Sequence, residues 1–255
     1  MTDRPPLVIA VTQPMCTPYD VEANAHAHAH AEAVHESAAR IVVFPELSLT
    51  GYELAAPAID PHDPRLGPIV AACADRESLA LLGAPVRDEP SRGRPATEHI
   101  GMLAIDGDGA RVAYRKMWLG TAEADRFDPG PAPAALDVDG WRLGLAICKD
   151  TGVTGHADDT VALGIDVYVA GTVKGSDEAA LQHDPARLIG IDHRVWVAVA
   201  SFAGSTGGYA DTAGRSAIWA PSGALVAAAG PDAGDSARAT LTCVRAEGPR
   251  WRSGR

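Results

Sequence analysis

The run Leu143-Gly144-Leu145-Ala146-Ile147-Cys148-Lys149-Asp150-Thr151-Gly152 sets the reading of this chain. Five apolar or small residues in succession suit a strand buried on both faces. A cysteine, two charged residues and a glycine then break the run. In α/β sheets the carboxyl ends of such strands are where chemistry collects.

The flanking sequence supplies strands and helices in alternation. Leu7 to Val11 reads as a strand, and Asp20 to Arg40 as an alanine-rich helix free of Gly and Pro. Ile41 to Phe44 is a second strand, stopped by Pro45. Pro68 to Glu77 suggests a helix and Leu79 to Gly83 a strand. His99 to Ile105 and Arg111 to Tyr114 pair across the turn Asp106-Gly107-Asp108-Gly109. Val167 to Ala170 and Trp196 to Ser201 are further buried strands. Ser216 to Trp219 and Ala224 to Ala228 form a hairpin through Pro221-Ser222-Gly223. Alternation argues for an α/β fold, and the hairpins for mixed β-sheets. Asp88 to Pro95 is loop-like but short, so residues 1–255 read as a single domain. No fixed-period repeat is visible.

Composition excludes several classes. Of 255 residues, 46% are apolar and 22% charged, as in an ordinary globular protein. No apolar run of about 18 residues exists to span a bilayer, so no membrane partner is expected. A net charge of −11 repels phosphate backbones, so no nucleic acid partner is expected. Leu7 to Val11 is too short for a secretory signal core. Cys16, Cys73, Cys148 and Cys243 lie far apart with no CxxC pair, which suits free thiols in a reducing cytoplasm. His26, His28, His30 and His35 tempt a metal reading. On a helix His26 and His30 share a face while His28 points elsewhere, and no nearby cysteine completes a ligand set. We read a solvated helix face, with no metal and no cofactor.

Three strand ends carry reactive side chains. Glu46 follows Val42-Val43-Phe44-Pro45, where partial desolvation would raise a carboxyl pKa toward general-base range. Lys116 sits in Tyr114-Arg115-Lys116-Met117-Trp118-Leu119, sheltered between aromatics. Cys148 ends the run quoted first. Lysine occurs only at Lys116, Lys149 and Lys174, against 19 arginines among 22 basic residues. Arginine cannot release a proton near neutral pH, whereas a perturbed lysine can. Taken singly, each residue is equally at home in an exposed turn, a solvated strand end or a core.

The order Glu46, Lys116, Cys148 with these flanks resembles the carbon–nitrogen hydrolase (nitrilase) superfamily, from about Val8 to about Ala228. Phe44-Pro45-Glu46 with Leu49-Thr50-Gly51-Tyr52 is similar to its first signature. Tyr114-Arg115-Lys116, then Glu123 and Phe127-Asp128-Pro129-Gly130, is similar to the second. Gly144 to Asp150 is similar to the third, and Ala162 to Val167 and Gly214 to Gly223 continue the pattern. The resemblance implies a four-layer αββα sandwich and a Glu-Lys-Cys triad. It also implies hydrolysis of a non-peptide C–N bond in a small amide through a thioester on Cys148.

In that chemistry Glu46 would be the base and Lys116 the oxyanion donor, joined by the N–H of Lys149. Glu123, seven positions before Gly130, would orient Lys116. Tyr52, Trp118, Lys149, Thr172 and Lys174 are the candidate substrate-binding residues. Lys149 and Lys174 together would suit a substrate bearing a carboxylate. Gly204-Ser205-Thr206-Gly207-Gly208 lacks the Lys-Ser/Thr of a phosphate loop and reads as a loop near the pocket entrance. The family resemblance also implies a homodimer.

Departures accompany the match. Lys149 stands where the family commonly has an aromatic, and Asp150-Thr151-Gly152-Val153 replaces an Asp-x-Arg run. Ile191-Asp192-His193-Arg194 replaces a Glu-Asn pair, and Ser201 an asparagine. The residues after Cys148 are not the Trp-Glu of the nitrilase branch, so an amidase ranks ahead of a nitrilase, with carbamoyl substrates still open. Two alternatives stay open as well. One is a catalytically inactive scaffold or metabolite-binding regulator. The other is a redox-sensing thiol protein, which needs a resolving cysteine near Cys148.

Overall fold

A computed structural model describes residues 4–34, 39–90 and 95–243. Two six-stranded mixed sheets face each other, and helices cover their outer faces, making the αββα sandwich. The first sheet contains β1 (Leu7–Thr12), β2 (Ile41–Val43), β3 (Leu79–Asp88), β4 (Thr97–Asp106), β5 (Gly109–Arg115) and β12 (Ser236–Leu241). The second contains β6 (Ala135–Val138), β7 (Trp141–Ile147), β8 (Val167–Thr172), β9 (Trp196–Ser201), β10 (Ala217–Trp219) and β11 (Leu225–Ala228).

Strand orders are β12-β1-β2-β3-β4-β5 and β11-β10-β9-β8-β7-β6. The trios β1-β2-β3 and β7-β8-β9 are parallel, and every other pairing is antiparallel. Strands β1 to β5 and β7 to β11 therefore repeat one connectivity, with β12 and β6 as the added edge strands, although no sequence period announces it.

α1 (Val21–Val34) and α2 (Gly67–Arg76) cover the first sheet. α4 (Thr154–Val161) and α5 (Ala179–His193) cover the second, and α3 (Thr121–Ala124) is a single turn after β5. Side chains alternate between two cores. On β8, Val167 and Val169 fill the sandwich interior, while Tyr168 and Ala170 pack with Ala157, Ala186 and Ile189 of the helices. On β2, Ile41 and Val43 face inward and Val42 meets Val21, Ala25 and Ile69. Both faces are buried, which is why these strands read as unbroken apolar runs.

Some expectations need correction. The first helix is shorter than read: Ala39 and Arg40 lie outside it, and Arg40 N–H already donates to Val8 O at 2.9 Å. His26 and His30 are exposed, but His28 is fully buried. It stacks on Phe44 with ring centroids 4.5 Å apart, and its Nε2 is 2.8 Å from Ser48 Oγ. His35 and residues 91–94 of the loop-like stretch lie outside the described residues. Among those described, no helix is long and apolar enough to cross a membrane.

Two glycines thread the segment after β2 between the sheets. A Cβ on Gly83 would lie 2.1 Å from Leu47 N and 2.7 Å from Pro45 O. A Cβ on Gly171 would lie 2.7 Å from Phe44 O and 3.0 Å from Glu46 N. Backbone presses from both sides, so a side chain has no room. Gly83→Ala should destabilise the fold by about 1–3 kcal/mol, read as a lower urea midpoint. Gly155→Ala in α4, where a Cβ meets nothing within 4 Å, should hold or gain up to about 1 kcal/mol. An unchanged midpoint for Gly83→Ala would mean that this segment is not gripped.

Candidate active site

Glu46, Lys116 and Cys148 leave the carboxyl ends of β2, β5 and β7, which brings residues of both sheets to one place. Lys116 Nζ lies 2.6 Å from Glu46 Oε1 and 2.7 Å from Glu123 Oε1. All three charged groups are nearly solvent-free. The Lys116 backbone is fixed on both sides: its N–H donates to Ile100 O, and its carbonyl accepts from Gly130 N–H, each at 2.8 Å. The Cys148 thiol donates to Val173 O at 3.3 Å, and the Glu46 charge acts on it.

The two carboxylates differ in surroundings. Glu123 Oε1 accepts from Lys116 and from Tyr52 Oη at 2.6 Å, and its Oε2 accepts from Gly120 N–H at 2.6 Å. Burial opposes its charge, but the Lys116 charge and these donors hold its pKa below the usual carboxylate range. Glu46 Oε2 is buried with no partner among the described residues. Burial and the neighbouring Glu123 charge push Glu46 up to about 7, against the pull of Lys116. Burial alone would lower Lys116, yet Glu46, Cys148 and Glu123 outweigh it and keep the ammonium charged. Burial, then the Glu46 charge, pushes the Cys148 thiol up to about 12, with Lys116 and Lys174 opposing.

Two of these loops are strained. Cys148 has φ +46° and Leu47, directly after Glu46, has φ +50°. A left-handed backbone costs a side-chain-bearing residue roughly 1–2 kcal/mol. It persists where surrounding bonds over-determine it. Thr151 Oγ1 donates to Cys148 O at 2.8 Å, and Asp150 Oδ2 accepts from Ile147 N–H at 2.9 Å.

The other candidates divide. Tyr52 joins the charged cluster through Glu123, and its N–H donates to Thr206 Oγ1 at 2.8 Å. The 204–208 loop therefore packs on Tyr52, and Tyr209 at its end sits 6.0 Å from the Tyr52 ring. Trp118 is 46% exposed, with its N–H on Asp150 Oδ1 at 2.9 Å. Lys149 is exposed and its Nζ donates to Leu119 O at 2.7 Å. Lys174 follows Val173, whose carbonyl takes the thiol contact. Among the described residues, no hydrogen-bond or ion-pair partner takes its ammonium, which is half-buried.

Thr172 does not belong with them. Strand alternation turns it to the outer layer, where its hydroxyl donates to Gln182 Oε1 of α5 at 2.7 Å. Asp192 and His193 also lie in that layer, at the end of α5, with His193 3.5 Å from Asp158. Ser201 is fully buried, and its hydroxyl has no partner among the described residues. The four cysteines are free thiols. Cys73 packs on the outer face of the first sheet, across that sheet from Cys148. Sequence reasoning missed Tyr209, His156 and Tyr168, which no local motif sets apart, and gave Tyr114 no role of its own although it opens the Tyr114-Arg115-Lys116 run.

The carbon–nitrogen hydrolase family profile matches residues 8–247. A hydrolase in the pqqF 5' region of Pseudomonas protegens is 28% identical over 231 residues, 88% of this chain and 79% of that protein. An (R)-stereoselective amidase from a Pseudomonas species is 28% identical over 133 residues, 51% of this chain and 46% of that protein. The amidase from Nesterenkonia sp. AN1, solved as a cysteine mutant with butyramide, superposes with a TM-score of 0.80 at 22% identity. That match covers 92% of this chain and 91% of that one. The chain belongs to the carbon–nitrogen hydrolase family.

Proposed function

We propose that this protein is a thiol amidase: it hydrolyses a small amide through an acyl-thioester on Cys148, releasing ammonia and an acid. The observation that carries the reading is the buried Lys116 ammonium, shared by two unlike glutamates beside the Cys148 thiol. Residues 1–255 act as one domain in this reading. The relative named an amidase and the butyramide-bound neighbour support an amide over a nitrile.

The steps follow from the charges. With the thiol at about 12 and Glu46 at about 7, a free thiolate is scarce. Glu46 therefore takes the thiol proton as Sγ attacks the amide carbon. The developing oxyanion meets Lys116 Nζ and the N–H of Lys149, in the first turn after the nucleophile where helical N–H groups lack intrahelical partners. Glu46 then gives its proton to the departing nitrogen, the C–N bond breaks and ammonia leaves. Water enters, Glu46 takes one of its protons, and hydroxide adds to the thioester carbon. Collapse expels Sγ, which recovers the proton from Glu46. Glu123 and Tyr52 hold Lys116 in place.

The finer assignments rest on single features. Lys174, half-buried beside Val173 and without a partner among the described residues, supports an acyl group that carries a carboxylate. Lys149 is already engaged at Leu119 O. Exposed Leu181, Leu188 and Ile191 share a face of α5 and support a homodimer. Free cysteines support a reducing, cytoplasmic setting.

Cys148→Ala should abolish ammonia release from butyramide while leaving the unfolding midpoint near wild type. The pH profile of kcat/KM should rise with pH through an apparent pKa near 7, because only the Glu46 carboxylate accepts the thiol proton. Glu46→Gln should lower kcat by about 10²–10⁴-fold; a flat profile from pH 5 to 9 would remove Glu46 from the role of base. Lys174→Met should lower the preference for a dicarboxylic monoamide over butyramide at least tenfold, measured as the ratio of kcat/KM values. An unchanged ratio rules out Lys174 as the carboxylate anchor.

A further inference from the structure

A chain of buried polar side chains runs behind the nucleophile, and none of it takes part in the steps above. Asp150 is fully buried and acts as its hub. Its Oδ1 accepts from Trp118 N–H at 2.9 Å. Its Oδ2 accepts from Ile147 N–H at 2.9 Å and lies 2.8 Å from Tyr114 Oη. Ile147 directly precedes Cys148, and Tyr114 and Trp118 stand two positions either side of Lys116. One carboxylate thus ties the nucleophile turn on the second sheet to both flanks of the lysine on the first. Beyond it, His156 Nε2 lies 2.9 Å from Tyr114 Oη and His156 Nδ1 3.0 Å from Tyr168 Oη. Thr160 Oγ1 stands farther from Nδ1, at 3.5 Å.

Proton counting gives this chain one direction. Asp150 Oδ2 accepts from Tyr114 Oη, so the single Tyr114 hydroxyl proton goes to Asp150. Tyr114 oxygen then accepts from His156, which places a proton on Nε2. A neutral imidazole with a proton on Nε2 accepts at Nδ1, so the Tyr168 hydroxyl donates there. Burial lowers the His156 pKa, against the raising effect of the Asp150 and Asp159 charges, and so favours the neutral ring. His156, Tyr114 and Tyr168 are all nearly solvent-free, so an unmade bond in the chain leaves a buried polar atom without a partner.

We infer that Tyr168, His156 and Tyr114 form a one-way hydrogen-bond relay onto Asp150, with His156 held as the Nε2–H tautomer, and that this relay positions Cys148 against Lys116. The inference rests on the thioester reading for its kinetic consequence, but not for the tautomer. The three relay residues touch no reacting atom; they are positioning residues.

The tautomer is read first, by ¹⁵N NMR of the histidine-labelled full chain, with His156 assigned by its loss in His156→Gln. A protonated Nε2 and an unprotonated Nδ1 from pH 5 to 9 are expected. An Nδ1–H tautomer or an imidazolium in that range overturns the relay, whether or not the protein hydrolyses butyramide. Kinetics on butyramide then read the positioning. Tyr114→Phe should lower kcat about 10- to 100-fold with KM within twofold, and Tyr168→Phe about tenfold. His156→Gln keeps a donor for Tyr114 and should stay within about threefold of wild-type kcat, while His156→Leu should fall with Tyr114→Phe. Folding is followed by unfolding midpoint. If the folded Tyr114→Phe and Tyr168→Phe variants keep wild-type kcat, or His156→Gln and His156→Leu lose kcat equally, the positioning role is overturned. Failure of the wild type on all amides, with Cys148→Ala no different, would instead sink the hydrolase reading and leave the tautomer result standing.

Discussion

The structure turns on one ammonium taken out of water between two carboxylates. Removing a charge from solvent costs several kcal/mol per ion even after relaxation. Lys116 recovers this through contacts of 2.6 and 2.7 Å to Glu46 and Glu123. One cation cannot satisfy two anions fully, so a surplus of negative charge remains. It falls on the partner with fewer donors. Glu123 receives Lys116, Tyr52 and the Gly120 N–H and keeps its charge easily. Glu46 has one orphaned oxygen and is pushed toward neutrality. Two acids of the same chemistry thereby acquire different tasks from their surroundings alone, which is how acid–base roles are divided in many active sites.

Bringing these groups together requires backbone to come unusually close. The segment carrying Glu46 passes between a β3 glycine and a β8 glycine, each leaving room that a Cβ would fill. Leu47 and Cys148 both adopt left-handed backbone next to or at a reactive residue. Such conformations hold only where neighbouring bonds leave no alternative. Here the bonds are those of Asp150 and Thr151 around the cysteine, and the backbone bonds of the 44–50 turn, including Leu49 N–H to Gly83 O at 3.1 Å. Buried histidines support each of these loops: His28 against Phe44 and Ser48, and His156 against Tyr114.

The central strands were legible because they are buried on both faces and read as short apolar runs, and the outer β5 and β11 because turn residues mark their hairpins. Trp196–Ser201 matches its expected bounds, and the hairpins fall within a few residues of theirs. The elements that escaped have physical reasons. β6 and β12 are edge strands; β6 is mostly open to solvent, and β12 alternates buried with more open residues, so neither reads as an apolar run. α5 contains Pro185, which lacks the N–H that a helix interior uses, and it presents Leu181, Leu188 and Ile191 outward. The repeated connectivity of the two sheets was invisible, since the halves share topology without a shared residue period.

The sequence by itself determined the α/β class and singled out three reactive side chains, because each sits in a local run whose apolar strand and abrupt end are readable in a dozen residues; the four-layer arrangement came only through the family resemblance of those runs. It also determined that the chain is acidic and poor in lysine, so that each lysine stood out. Only the tertiary structure decided which glutamate is poised near neutrality, that Thr172 faces away from the thiol, that Lys149 is engaged elsewhere while Lys174 is not, and that Asp150 joins the two sheets behind the cysteine. Those outcomes depend on groups far apart in the chain, such as Glu46 and Lys116, 70 positions apart. Burial, charge and hydrogen-bond direction are properties of who the neighbours are, and the neighbours are chosen by folding.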